Sequence, residues 1–473
     1  HERGAAPTGG DHRAYIGRYE KGRMMQKQYR EEKIDRVREL AMQVLQKVHT
    51  ESAYANVALA ETLREMRLPE RDRRFLTELV YGVTKAGETL DYMIGRYVAD
   101  IRKAQPAIRE LLRLGFYQIF FMDRVPPSAA CNTAVELAKK YGRRGADSFV
   151  NGVLRAALRE PERAELPNGR DARALALRTW HPKWLVERWV RAYGYERTEA
   201  LCRCNNTSAP LSVRVNTLRT NRPALMEQFA AAGAEAHVSA LAPEGILLRA
   251  HGALDELAPL RMGLAQVQDE SSMLVAHVLA PEPGMTVIDV CAAPGGKTTH
   301  IAQRMENRGR ILAFDIYEEK IRRIERNAQR LGISIIEGEV RDARTIGAAY
   351  AGQADRVLVD APCSGLGVLR RKPDARWKKR AGDQKTLPPL QRAILASAAE
   401  AVKKGGILVY STCTMEECEN TDVVHTFLET HTDFALEETG SFLPEEKSTE
   451  HMVQIMPETN GPDGFFIARM RRL

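Results

Sequence analysis

From about Ala265 to the end of the chain, short apolar runs alternate with amphipathic helical patterns, and this alternation constrains the fold more than any other feature. The apolar runs lie at Thr286–Val290, Ile311–Phe314, Ser334–Ile336, Val357–Val359 and Ile407–Tyr410. Helical patterns at Lys297–Arg304, Glu318–Leu331 and Leu390–Lys403 separate most of them. Strands apolar on both faces, joined by helical crossovers, predict a parallel sheet covered on both sides. Ligands bind beyond the carboxyl ends of such strands. The residues just after each run are therefore the candidates for chemistry.

Upstream the pattern changes twice. A chain of 473 residues is too long for one core and implies roughly three domains. Residues 1–32 are Gly-rich and charged on both signs, and read as a disordered tail. Residues 33–160 are helical throughout. Ile34, Val37, Ala41, Val44 and Val48 form one helical stripe. Further runs at Tyr54–Glu65, Asp72–Lys85, Leu90–Tyr97, Ala107–Met122 and Ala129–Tyr141 are separated by Gly82, Gly87, Pro106 and Pro126-Pro127. Residues 161–264 are mixed α+β, with a helix near Pro182–Tyr193, a strand at Leu211–Val215, a helix near Arg222–Ala232 and an apolar run at Gly245–Leu248. The division predicts an all-α domain, a small α+β domain and an α/β domain over 265–473.

After the first apolar run stands Cys291-Ala292-Ala293-Pro294-Gly295-Gly296-Lys297. Two glycines between a strand and a helix permit a tight turn and close approach of a ligand. The spacing matches neither the dinucleotide fingerprint nor the P-loop. Asp315 follows the second run, where an acid can hold ribose hydroxyls, and Asp342 follows the third, where one can hold an adenine amine. Together they describe a pocket for an adenosine-containing cofactor without phosphates. After the fourth and fifth runs come Asp360-Ala-Pro-Cys363 and Tyr410-Ser-Thr-Cys413, so two cysteines follow the ends of neighbouring strands, positions from which both could face one cavity. Neither has the clustered ligands that zinc requires, so no metal is expected. Cys202-Arg-Cys204 is spaced too closely for a zinc pair and reads as structural. Seven cysteines, an odd number, do not form a disulfide framework.

Lys and Arg number 70 against 62 acids, a net charge of +8 that leans toward a polyanionic partner. Arg370-Arg371-Lys372 and Arg376-Trp377-Lys378-Lys379-Arg380 mix cations with an aromatic, a composition suited to phosphates and a stacked base. Arg71, Arg73, Arg74 and the cluster Lys139, Lys140, Arg143 and Arg144 give the helical domain a second basic surface. No run approaches about 18 uncharged apolar residues, so no membrane span is expected.

The run from Gln268 onward resembles the RNA cytosine-5 methyltransferases, on the strength of its Cys291–Lys297, Pro-Cys and Thr-Cys motifs. The whole chain resembles the Sun/Fmu family of bacterial small-subunit ribosomal RNA methyltransferases, which set a NusB-like helical domain before the catalytic one. Arg71–Val83, Leu111–Gln118 and Phe149–Arg155 carry the NusB resemblance. The resemblance implies a Rossmann-like catalytic domain with S-adenosylmethionine as cofactor. Cys291 to Lys297, Asp315, Asp342 and Asp360 would line the cofactor pocket. Cys413 would be the nucleophile and Cys363 would help release the methylated RNA. Asp360 and Lys297 would manage protons and charge at the base. It further implies 16S ribosomal RNA as partner, naked or in an early assembly intermediate, and a monomeric cytoplasmic enzyme without a metal. A non-catalytic antitermination protein and a DNA cytosine methyltransferase remain as alternatives. The first is disfavoured by the intact cysteines and glycine turn, the second by the additional Thr-Cys motif.

Overall fold

A computed structural model of the chain describes residues 35–249, 254, 257–444 and 448–473. The tail over 1–32 and Ile34 lie outside the described residues. Two compact units divide the chain, one ending at Lys183 and the other running from Trp184 to Leu473.

The first unit is all helical. Its six longer helices are α1 (Arg36–Thr50), α2 (Ala55–Glu65), α3 (Glu70–Ile94), α4 (Pro106–Phe121), α5 (Pro127–Tyr141) and α6 (Ala146–Arg159). Asp35 caps α1 by accepting from the Arg38 amide, and prolines open α4 and α5, where no backbone donor is lost. Leu40, Leu45, Leu76, Leu79, Phe116 and Leu154 meet in one core. Gly82 and Gly87, expected to break a helix, lie inside α3, which joins two of the expected runs. Close packing explains Gly82. A Cβ there would fall 2.0 Å from Cζ of Tyr117, whose hydroxyl donates to Glu78 at 2.6 Å. The unit also extends past residue 160. Helix α7 (Ala172–Thr179) returns to it, with the Thr89 hydroxyl donating to the Leu177 carbonyl at 2.8 Å and Trp180 edge-on to Phe121.

The second unit contains two sheets. A four-stranded antiparallel sheet has the order β2-β3-β1-β4, with β1 at Leu211–Val215, β2 at Glu235–Val238, β3 at Gly245–Arg249 and β4 at Ala265–Val267. β4 therefore belongs to the small sheet, although the sequence places it across the 264/265 boundary. Helix α8 (Arg222–Ala231) packs Leu225 and Phe229 with Val213, Val215, Ile246 and Leu248.

The larger sheet has the order β10-β12-β9-β8-β5-β6-β7, with β11 paired to β12. Strands β5 (Thr286–Asp289), β6 (Arg310–Asp315), β7 (Ile336–Val340), β8 (Ala354–Asp360) and β9 (Val402–Thr412) are parallel. Ile288, Leu312, Val357 and Leu408 face one core, and Val287, Ile311, Leu358 and Val409 face the other. Burial on both faces makes these strands apolar throughout. The sheet is mixed rather than purely parallel. β12 (Phe465–Arg472) runs antiparallel to β9, β10 (Phe434–Leu436) and β11 (Met452–Ile455). β7 shares only Ile336 with the expected apolar run Ser334–Ile336, and as an edge strand it carries the polar Glu337 and Glu339, which an apolar pattern does not mark. Glu337 bonds Arg310 of the neighbouring strand at 2.7 Å. Among the described residues, no helix is long and apolar enough to cross a membrane.

Candidate active site

The order of the large sheet reverses beside β5, with β6 and β7 on one side and β8 and β9 on the other. Ligands bind at such a switch point, and the candidate residues gather there. Past β5, Ala292 donates to the Phe314 carbonyl at 2.8 Å, and the Gly295 amide closes a turn on the Ala292 carbonyl at 2.8 Å. Gly295 has φ of +95°, a conformation that suits glycine. Asn327 steadies the turn by donating to the Pro294 carbonyl at 2.9 Å. Gly296 then opens helix α9 (Gly296–Arg304). A Cβ on Gly296 would meet nothing nearer than 3.9 Å, so neither conformation nor packing calls for glycine. What glycine leaves there is open space before a helix N-terminus, which fits the close approach of a cofactor.

Three acids stand at the carboxyl ends of the adjacent strands β8, β5 and β6. Asp315, on β6, is 8% exposed and pairs with Lys320 at 3.3 Å. Beside it, Ile316 and Tyr317 expose apolar side chains. Asp289, on β5, is buried and accepts from the Thr298 hydroxyl at 2.7 Å. Burial pushes its carboxyl up to about 7, helped by the nearby charge of Asp360. Asp360, on β8, accepts from Lys297 Nζ at 2.8 Å and from the Ser411 hydroxyl at 3.0 Å. Burial opposes the charged form of Lys297, but the charge and hydrogen bond of Asp360 outweigh it, so the ammonium is held. Asp342 caps a short turn by accepting from the Arg344 amide at 2.9 Å and pairs with that guanidinium at 2.6 Å at a partly exposed site, where its carboxylate keeps further acceptor capacity. Cys291 is half-buried, and burial raises its thiol.

Cys363 and Cys413 do meet. Their sulfurs are 3.3 Å apart. The loops that carry them are fastened together: Ser364 Oγ and Thr414 Oγ1 are 2.8 Å apart, and the Gly367 amide donates to the Cys413 carbonyl at 3.0 Å. The hydrogen bond from the Cys363 thiol lowers the Cys413 thiol, outweighing burial and the charge of Asp360, while Lys297 and Lys372 add positive charge. The same bond raises Cys363, and burial adds to the shift. The contact therefore favours the charged form of Cys413 over that of Cys363, and the thiolate is the form a sulfur nucleophile requires.

Sequence reasoning missed Asp289, whose signal was its place two residues before Cys291 at a strand end. It missed Glu419, which accepts from the Ser364 amide at 2.8 Å, and Asn420, which accepts from the Thr412 hydroxyl at 2.6 Å. Both follow the Thr-Cys motif without a pattern to mark them. The basic segment after Cys363 is corrected. Arg371 bonds Asp463 and Asp269 at 2.7 Å each, Arg370 donates to the Gly461 carbonyl at 2.6 Å, and Arg376 is fully buried with Asn206 at 2.8 Å. Lys372 and Arg380 remain exposed.

Among the described residues, one group has its donor atoms close enough to hold a metal: Glu244, His277 and His300. Arg304, which can only donate, lies 3.1 Å from Nδ1 of His277. The His277 proton therefore sits on Nε2, where it donates to Glu244 at 3.0 Å. His300 Nε2 donates to Glu244 at 2.7 Å. The cluster is a carboxylate solvated by two imidazoles, not a set of free ligands.

With this geometry in view, the similarities to known proteins fall into place. The 16S rRNA methyltransferase RsmB/F profile matches residues 276–471, the NusB family residues 35–159, and the RsmF/B-like ferredoxin-like domain residues 181–255. The probable ribosomal RNA small subunit methyltransferase B of Bacillus subtilis is 42% identical over 92% of this chain and 98% of its own. The chain belongs to the ribosomal RNA small subunit methyltransferase B family. The Synechocystis member of the family is 38% identical over 92% of this chain and 99% of its own. Among solved structures, PH0851 superposes with a TM-score of 0.78 at 28% identity, covering 92% of this chain and 97% of that one. NSun6 from Pyrococcus horikoshii with SFG has a TM-score of 0.56 at 26% identity, covering 62% of this chain and 98% of that one. Family membership makes the protein a methyltransferase with S-adenosylmethionine as cofactor. The NusB profile ends at 159 and the ferredoxin-like one begins at 181, so neither covers the α7 segment that packs on the helical unit.

Proposed function

We propose that the enzyme methylates carbon 5 of a cytosine in 16S ribosomal RNA through a bond from Cys413 to carbon 6. The observation that carries this reading is the sulfur pair at 3.3 Å beside the Lys297–Asp360 ion pair. The glycine turn, with Asp315 on the next strand, would hold S-adenosylmethionine, which supplies an electrophilic methyl group when bound. Asp342, beyond β7, would complete that pocket with its remaining acceptor capacity.

Carbon 5 of cytosine is a poor nucleophile. Addition of the Cys413 thiolate to carbon 6 makes the ring an enamine, whose carbon 5 is nucleophilic. Charge builds on the ring during addition. Lys297 donates toward ring nitrogen 3 as it develops charge, and Asp360 accepts from the exocyclic amino group. Once carbon 5 is methylated, its proton passes to solvent, the freed electron pair re-forms the double bond to carbon 6 and Cys413 leaves as thiolate, a release that Cys363 assists. A cytosine within a helix does not reach such a recess, so the target is unpaired or flipped out. The helical unit contributes RNA affinity and target choice through its exposed cations.

The test uses the two cysteines. Cys413→Ala should bind RNA and cofactor yet form no covalent adduct. Cys363→Ala should attack and methylate but stall as a protein–RNA conjugate that survives a denaturing gel. A conjugate from Cys413→Ala and none from Cys363→Ala would reverse the assignment, as a DNA-type cytosine methyltransferase requires. Mapping 5-methylcytosine in ribosomal RNA identifies the target atom.

A further inference from the structure

The strongest polar link between the small antiparallel sheet and the cofactor turn is one side chain. Arg214 lies on β1 and is fully buried. Its guanidinium meets four acceptors: the Gly296 carbonyl in the turn, Thr299 and Gln303 along α9, and Gln268 just after β4. Nη1 donates to the Gly296 carbonyl at 2.7 Å and to Gln268 Oε1, Nη2 to Thr299 Oγ1 at 3.0 Å, and Nε to Gln303 Oε1 at 2.8 Å. Thr299 extends the link, since its hydroxyl also donates to the Gly295 carbonyl at 2.7 Å. Both glycine carbonyls of the turn are thus tied, directly or through one hydroxyl, to a strand of another sheet.

We infer that Arg214 is a positioning residue for the cofactor turn, so that the small sheet is a working part of the S-adenosylmethionine site. Three features support this role. A guanidinium has a planar fork of donors that reaches several acceptors at once, which a lysine ammonium cannot imitate. The charge is costly to bury. Desolvation pulls the guanidinium down to about 9 even though Glu244 favours its charged form. Apolar residues would fill the same space at lower cost, so the position is explained by what the guanidinium holds. It holds Gly296, a turn glycine whose open side neither packing nor backbone conformation requires. The neighbouring groups reinforce the same helix: Asn216 Oδ1 accepts from Gln303 at 3.0 Å, and Glu244 holds His300 at 2.7 Å. Small errors in such a turn matter because binding groups must stay near their productive geometry.

The experiment compares the full-length protein with Arg214→Lys, Arg214→Met and Leu225→Ala. Leu225 is buried in the core of the small sheet and does not touch the turn, so Leu225→Ala reports what loss of that domain's stability does alone. S-adenosylmethionine binding is read by calorimetry, folding by thermal midpoint, and turnover by KM and kcat for the cofactor. Arg214→Lys should weaken cofactor binding roughly tenfold and Arg214→Met up to roughly a hundredfold. KM for the cofactor should rise with it while kcat at saturation changes little. Leu225→Ala should lower the midpoint without a matching loss of affinity. Wild-type affinity in Arg214→Lys, or the same loss of affinity in Leu225→Ala, overturns the inference. If Arg214→Met does not fold, Arg214→Lys decides alone.

Discussion

Exposed and buried arginines are put to opposite uses, and each unit holds both kinds: Arg113 of the helical unit is largely buried against Asp91 and Glu110, while Arg308 and Arg322 of the catalytic unit are exposed. In the helical unit Arg71, Arg143 and Arg144 are exposed to solvent. In the catalytic unit Arg214 and Arg376 are fully buried and Arg469 is 2% exposed. Arg469 donates to Glu437 and to the Val278 carbonyl at 2.5 Å each. These side chains act as internal struts that satisfy backbone carbonyls and side-chain amides where loops and sheets meet. The net charge of +8 therefore overstates what the catalytic unit offers to phosphate. Charge speaks of nucleic acid only where it reaches water. Buried ionisable groups should govern stability, and exposed ones should govern salt-dependent binding.

Asp289 should give the largest departure if that division holds. Its carboxyl titrates near 7 when folded, against an ordinary value of 3.8. Between those values the folded state holds a proton that the unfolded state has lost, so stability falls as pH rises through the window. Asp289→Asn keeps an acceptor for Thr298 and removes the titration. Its stability relative to the wild type should rise between pH 4 and 8 by up to about 4 kcal/mol, read by urea unfolding at each pH. A flat difference across that range would mean that Asp289 is ionised in place. Arg376→Ala should cost about 3 kcal/mol, because a fully buried side chain and its hydrogen bonds to Asn206 and the Asn205 carbonyl are removed. The salt dependence of RNA binding should stay as it was; a changed slope would put Arg376 on the RNA after all. Asp315 stands between the extremes, buried itself but paired with half-exposed Lys320. Asp315→Ala should weaken S-adenosylmethionine binding roughly tenfold to a hundredfold, and unchanged binding by calorimetry removes it from the pocket.

The five parallel strands are legible in the sequence because burial on both faces writes itself as uninterrupted apolar runs. β12 is not, since Arg469, Arg471 and Arg472 break its pattern, and only the fold shows Arg469 directed at Glu437 and backbone carbonyls. Gly82 reads as a helix breaker because the ring it accommodates, Tyr117, lies far along the chain. The helical unit reads as ending too early for a similar reason, as the α7 segment is held by distant Thr89 and Phe121. Within the site, the juxtaposition of Cys363 and Cys413 follows from two neighbouring strand ends. Their separation, and the opposite shifts of the two thiols, depend on the geometry of the connecting loops, which no motif encodes. The basic run around Arg376 resembles an RNA-binding surface because adjacency in sequence says nothing of burial.

The exposed side of the comparison is tested by Arg143→Glu with Arg144→Glu. Both residues lie in the turn between α5 and α6, exposed or nearly so, so neither change disturbs a packed core. Thermal stability should move by less than about 0.5 kcal/mol, as is usual for surface sites. If the pair meets phosphates, each phosphate that goes unneutralised lowers the slope of log affinity against log salt by about 0.7–0.9. The slope for ribosomal RNA should therefore fall by roughly 1.5, with weaker binding at low salt and convergence toward the wild type at high salt. Cofactor affinity should not change, because the glycine turn and Asp315 lie in the other unit. An unaltered salt slope would leave the helical unit without a role in binding RNA through this turn. Its basic surface would then serve a protein contact instead, and the division between buried struts and exposed binders would hold only for the catalytic unit.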